Sequence, residues 1–183
     1  MNIGKIFIMI VFLLLSLTGC NTKAQFSEKE LPKVTIKVNG QTLVYNVVDV
    51  SKDTLISKKV DEDVDFSVEK SIFLPLIQNS KTKVYANIGD TIEITFNKLP
   101  DSAELYDHLL NEDGKSYFNR SIVKHKIPLD KKIVGIDFAQ HSSLALASSS
   151  NILEKDLIRG FRLVTKTGNN TSEYAFIIYT RSK

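Results

Sequence analysis

Cysteine occurs once in the 183 residues and tryptophan not at all. A single thiol cannot form an internal disulfide, and it excludes a cysteine-cluster zinc site. Histidine is nearly as scarce: His108, His125 and His141 are widely separated and carry no zinc-ligand spacing. Arginine is rare too, with 4 against 20 lysines, and the formal net charge is only +3. So weak a positive balance excludes the usual nucleic-acid binder. The 8 glycines form no phosphate-cradling loop. His141-Ser142-Ser143 lacks the flanking glycines of a nucleophile elbow. No catalytic residue, cofactor or resident metal is therefore expected. Long apolar runs are absent but for Ile6–Leu17, in which every residue except Ser16 is apolar. That is too short to cross a bilayer as a helix, which takes about 20.

That run is flanked by informative residues. Lys5 precedes it, and Leu17-Thr18-Gly19-Cys20 closes it, followed by polar Asn21-Thr22-Lys23. One charge, a short apolar stretch and small residues make the order of a secretory signal. Leu17-Thr18-Gly19-Cys20 resembles the lipobox of bacterial lipoproteins. The resemblance implies cleavage before Cys20 and a diacylglycerol thioether on its sulfur. Acylation of the new amino group stays open. Residues 1–19 are then a lipoprotein signal peptide, and residues 20–33 a lipidated N-terminus and polar tether. The alternative is a cleaved secretory peptide that leaves an incidental free thiol. The mature chain, from Cys20 to Lys183, is ample for one core.

In that mature chain Val, Ile and Thr number 39 and Ala 7, a bias toward strands. Val34, Ile36 and Val38 alternate with polar residues up to Asn39-Gly40, the strongest two-residue hairpin signal. A hairpin over 33–50 is expected, with Gln41–Val50 as its return. Ile72–Ile77, broken by Pro75, reads as an edge strand or a bend. Val84–Ile88 and Thr91–Phe96 read as strands about a Gly89-Asp90 turn. Ala103–Leu110 fits a strand or a short helix. Tyr117–Val123, Lys126–Leu129 and Ser143–Ala147 are further strand candidates. Asn151 with Glu154 fits a helix cap, opening a short helix that runs to Ile158. Phe161–Thr167 and Ser172–Thr180 read as a closing hairpin, apolar on both faces and so well inside a sheet.

From about Lys83 this pattern resembles an immunoglobulin-like sandwich: an opening strand pair, a short helix, then a long hairpin ending in Glu173-Tyr174-Ala175-Phe176-Ile177-Ile178. The missing tryptophan and cysteine pair exclude an antibody-type core. The expected fold is all-β, an immunoglobulin-like antiparallel β-sandwich. It carries an N-terminal hairpin extension (34–79), the sandwich proper (80–183) and a short helix before the last hairpin.

Charged segments supply the remaining candidates. Asp61, Asp63 and Asp65 have the spacing of calcium-loop ligands, but Phe66 stands where a glycine must turn and Ile72 where a bidentate Glu belongs. A solvated acidic loop is expected instead. Arg120, Lys124, His125, Lys126, Lys131 and Lys132 form a basic stretch, suited to anionic head groups or wall polymers, or to the solvent face of strands. Tyr45, Tyr85 and Tyr179 are candidates for a binding surface or for half-buried strand positions. The expectation is a lipid-anchored extracytoplasmic protein on the cell membrane. Cys20 would carry the lipid, and the body would be a non-enzymatic binding module for a protein or cell-envelope partner. The alternative is a solute- or ion-binding lipoprotein serving a transporter or sensor. No nucleic-acid partner is expected.

Overall fold

The computed structural model describes residues 33–48, 66–79, 83–117, 122–147 and 156–180. Strand β1 (Val34–Val38) buries Val34, Ile36 and Val38 and turns their neighbours outward. Asn39 and Gly40 both take positive φ, as a two-residue hairpin turn requires, and β2 (Gln41–Thr42) pairs back with Val38 opposite Gln41. The return then departs from expectation. Leu43 donates a last backbone bond to Ile36 (2.8 Å), and the chain crosses to a second sheet. There β3 (Asn46–Val48) pairs with the C-terminal strand. Tyr45 pins the crossing: its hydroxyl donates to the Val34 carbonyl (3.0 Å), and its ring meets Tyr174 edge-on.

Helix α1 (Phe66–Asn79) corrects the expected edge strand or bend at Ile72–Ile77. Pro75 lies inside it and removes one backbone donor, a cost of about 3 kcal/mol. Glu69, Ile72, Phe73 and Leu76 recur at helical spacing, all buried, and Phe73 is fully covered. Burial of those side chains offsets the broken hydrogen bond.

Val84–Ile88 is not a strand paired with its successor. Tyr85 makes one parallel bridge to Tyr179, closed by bonds from Ala86 N–H to the Tyr179 carbonyl and from Tyr179 N–H to the Val84 carbonyl, both 2.9 Å. Thr91–Phe96 is the expected strand, β4. Ser102–Leu110 resolves as a strand, β5. The two segments expected around residue 123 are a single strand, β6 (Ile122–Lys126). An unexpected β7 (Ile133–Asp137) follows. Ser142–Ala147 is a 3₁₀ turn and not a strand. Residues 151–155 of the expected helix lie outside the described residues, and Leu157 and Ile158 already belong to β8 (Leu157–Thr167). That strand and β9 (Asn170–Thr180) form the expected closing hairpin, in register from Leu157 opposite Thr180 to Thr167 opposite Asn170.

The strands make two antiparallel sheets, β2-β1-β4-β7 and β3-β9-β8-β5-β6, in an all-β, sandwich-like arrangement with one helix among the described residues. Ile36, Ile94, Leu105, Phe161, Leu163, Tyr174 and Phe176 fill the space between the sheets. Phe161 stacks on Phe176 with ring centres 5.1 Å apart. A second cluster lies on the outer face of the larger sheet, where Phe73 and Leu76 of α1 cover Leu110, Ile158, Ala175 and Ile177. Gly160 permits that approach: a Cβ there would lie 2.4 Å from Leu110 Cδ1 and 2.9 Å from Phe73 Cε1. β9 is thus apolar on both faces because one meets the opposite sheet and the other meets a helix. No described helix is long and apolar enough to cross a membrane.

Candidate functional site

Period-two packing makes any charge on an inward position of a strand conspicuous, because an unpaired buried charge is costly. β5 carries Asp107 in line with Ala103, Leu105 and Leu109. β8 carries Arg159 in line with Leu157, Phe161 and Leu163. Asp107 faces Phe161, and Arg159 faces Leu109, so the two charges are diagonal neighbours on one face. Arg159 Nε donates to Asp107 Oδ1 (2.8 Å), and its Nη2 donates to Oδ2, making a bidentate pair. Its Nη1 donates to the Ala139 carbonyl (3.1 Å), and the guanidinium lies 4.7 Å from the centre of the Phe138 ring. Each of its three nitrogens thus donates a hydrogen bond.

Two histidines complete the cluster. His125 Nε2 lies 3.9 Å from Asp107 Oδ2, with its ring partly exposed on β6. His141 Nε2 donates to the Asp107 carbonyl (3.3 Å), while its Nδ1 accepts from Ser143 N–H (3.2 Å). A ring that donates at one nitrogen and accepts at the other is neutral. Burial pushes the His141 pKa below its ordinary value; Asp107 opposes this and the Arg159 charge reinforces it. Burial would raise the Asp107 carboxyl, but the nearby His125 ring and the hydrogen bonds and charge of Arg159 hold it below the usual carboxylate range. A cavity of about 30 Å³ lies between the sheets here, lined by Asp107, His125, Gln140, His141 and Arg159 among others. It has room for about one or two waters. No serine, threonine or cysteine is among the described residues that line it.

Another polar cluster fastens α1 to the outer face. Glu69 Oε1 accepts from His108 Nδ1 (2.8 Å) and from Ser116 Oγ (2.9 Å), and Oε2 accepts from Ser116 N–H (3.0 Å). Burial raises the Glu69 pKa, but these donors outweigh it and leave the carboxyl below its ordinary range. His108 Nε2 is buried with no hydrogen-bond partner among the described residues. The serine bonds to the glutamate and not to the histidine, so the trio lacks the nucleophile–base contact of a hydrolase. A second buried ion pair, Arg162 with Glu173, lies on the same face.

A larger concavity lies beside α1. A groove of about 580 Å³ runs between the β2–β3 segment, the end of α1 and β9. Leu43, Val44, Pro75, Leu76, Val84, Ile177 and Tyr179 give it apolar walls, with Gln41, Thr42, Asn46 and Asn79 as polar points. Val44 stands at its rim, 81% exposed. An exposed apolar side chain beside a concave apolar surface is a feature of binding grooves.

The three histidines, which their separation in sequence left unconnected, gather on and around β5. His108 faces the helix, and His125 and His141 converge on Asp107 from the other side. Asp107, Arg159 and Glu69 were not anticipated. Charges at inward, period-two positions of apolar strands were the available signal for the first two. Tyr45 and Tyr85 are partly buried and Tyr179 buried; Tyr179 lines the groove. Cys20, Asp61, Asp63, Asp65 and Arg120 lie outside the described residues. Among the described residues no group of three His, Cys, Asp or Glu side chains is arranged to hold a metal. Comparison with known protein families, with curated proteins and with solved structures finds no match to this chain.

Proposed function

We propose that this protein is an extracytoplasmic lipoprotein, held on the cell membrane by diacylglycerol on Cys20. Its sandwich serves as a non-enzymatic binding module for a protein or cell-envelope partner. Leu17-Thr18-Gly19-Cys20 behind one short apolar stretch supports the anchor. The observation that carries the binding role is the apolar groove with Val44 at its rim. A non-catalytic role is favoured because the titratable groups between the sheets are committed to one another. Asp107 is neutralised by Arg159, and His141 is held between two backbone groups.

The sandwich is read as immunoglobulin-like. In that architecture strands C, F and G lie side by side with C′ outside, opposite a sheet in which A, B and E are neighbours. The order β9-β8-β5-β6 against β1-β4-β7 supports that reading, with β2, β3 and α1 inserted between the first two strands of the series. The groove also favours a second reading, a solute-binding lipoprotein, since about 580 Å³ falls within the common range of small-molecule sites.

Two measurements test these readings. Metabolic labelling with radioactive palmitate should mark the parent chain and not Cys20→Ala; equal labelling would sink the anchor. A photo-crosslinking residue at Val44 should give a discrete protein adduct on intact cells if the groove takes a partner. Stoichiometric binding of a small apolar fluorophore without an adduct would favour the solute reading, and neither result would refute both.

A further inference from the structure

We propose that the lysine-rich end of the sandwich, where the chain enters β1, docks on the anionic head groups of the bilayer that holds the lipid anchor. The inference rests on the anchor reading and goes beyond it by assigning an orientation to the domain.

Six lysines meet at this end although they are scattered through the sequence. Phe96 N–H donates to the Lys132 carbonyl (2.8 Å) and Asn97 N–H to the Lys33 carbonyl (3.1 Å), which sets Lys33, Lys98, Lys131 and Lys132 around the end of β4. Asp101 N–H donates to the Lys166 carbonyl (2.7 Å), bringing the end of β8 to the same loop. Lys126 ends β6 beside Glu104, near the start of β5. All six are exposed, and none makes an ion pair with a described residue. Among the described residues Asp101, Asp130 and Glu104 oppose them; the Asp101 carboxylate already accepts from Gly168 N–H (2.6 Å), and Glu104 is paired with Lys124 (2.9 Å). At the opposite end the sign reverses among the described residues: Asp90, Glu112, Asp113, Asp137 and Asp156 outnumber Lys83 and Lys115. The described residues therefore form a charge dipole along the strands.

Connectivity selects the bilayer as the occupant. Only the segment Asn21–Pro32 separates Cys20 from Lys33, so a lipid on that sulfur approaches the domain from its basic end. Fully extended, that segment reaches roughly 40 Å, enough for the end to lie flat on the head groups. Each lysine near an anionic surface strengthens attachment about fivefold, and tethering raises the local concentration of that surface.

The test uses the lipidated chain, whose sulfur is blocked, with one engineered cysteine carrying a fluorophore. Asn169→Cys marks the basic end and Asn87→Cys the other. In vesicles with about a third phosphatidylglycerol, a head-group quencher should quench the Asn169 site at least threefold more than the Asn87 site. The difference should vanish in pure phosphatidylcholine, in half-molar NaCl and in Lys98→Glu/Lys131→Glu/Lys132→Glu. Equal quenching at both sites, or a difference that survives salt and charge reversal, would overturn the proposal. So would tighter binding to soluble poly(glycerol phosphate) that abolishes the difference, which would reassign the face to a wall polymer. Mass spectrometry of the Cys20 peptide judges the anchor separately. If it carries no lipid, the anchor reading fails alone, and the chain should still sediment with the anionic vesicles about a hundredfold better than the triple variant. Equal sedimentation would overturn the docking face as well.

Discussion

Replacing Asp107 by Asn leaves the shape of the sandwich core nearly unchanged and removes one charge from it. Arg159 is only 4% exposed, set against the Phe138 ring and bonded to the Ala139 carbonyl, so the guanidinium is almost wholly desolvated. Breaking a buried pair by removing one partner typically costs about 3–5 kcal/mol, since the other charge stays desolvated. Set against a total stability of about 5–15 kcal/mol, that is a large fraction. For a domain of this size it corresponds to a fall of about 6–20 °C in Tm. Removing both partners is a different perturbation. Asp107→Leu/Arg159→Met replaces the pair by apolar groups of similar volume, which is commonly neutral or stabilising by about 1–4 kcal/mol. Urea unfolding of the parent, Asp107→Leu, Arg159→Met and the double variant, followed by far-ultraviolet circular dichroism, gives the four corners of the cycle. The expected result is two unstable single variants and a double variant at least as stable as the parent. A loss below about 1 kcal/mol in Asp107→Asn would refute the reasoning. So would a double variant as unstable as the sum of the singles, since either result means the two charges are not coupled in the core.

His141 sets the onset of acid sensitivity. The unfolded chain takes up its proton near pH 6.5, while the folded chain holds the pKa lower, so stability should be full above that pH and decline below it. His141→Gln should remove this shoulder in a pH series of urea midpoints, and an unchanged profile would count against the neutral, backbone-held ring. Asp107 and Glu69 have depressed carboxyl pKa values, so their contributions are present above about pH 4 and are lost as pH falls through the folded values. Gly160→Val should push Phe73 and Leu110 apart, costing about 1–3 kcal/mol and speeding hydrogen exchange in α1 ahead of the strands. Uniform exchange across the helix in parent and variant would contradict the close packing. Phe176→Ala, at the stacked centre of the core, should cost about 3–5 kcal/mol, against less than about 1 kcal/mol for Thr171→Ala at the hairpin end. Equal, mild losses would make β9 peripheral.

Local pattern sufficed where a segment's own residues decide its conformation. Val34, Ile36 and Val38 alternate because one face of β1 is covered, and Asn39-Gly40 turns because both residues accept positive φ. The closing hairpin was legible in the same way, through two long apolar strands and a Gly168 turn. Patterns failed where a distant surface overrode them. Pro75 signals a break, yet α1 continues through it because Phe73 and Leu76 have a sheet to cover. Gln41–Val50 reads as one return strand, yet Tyr45 is drawn against Tyr174 and the strand divides between two sheets.

The sequence by itself determined the strand-rich composition, the principal turns and the lipobox-like end with its sole cysteine, all written in neighbouring residues. Only the tertiary structure decided which distant residues meet. Asp107 finds Arg159 across 52 positions and His141 across 34, and six scattered lysines collect at the end where the chain enters the sandwich. Period and turn chemistry are properties of a short segment. The pairing of two charges inside a core, or the sum of many at one end, depends on sheet order and register, which no local stretch encodes.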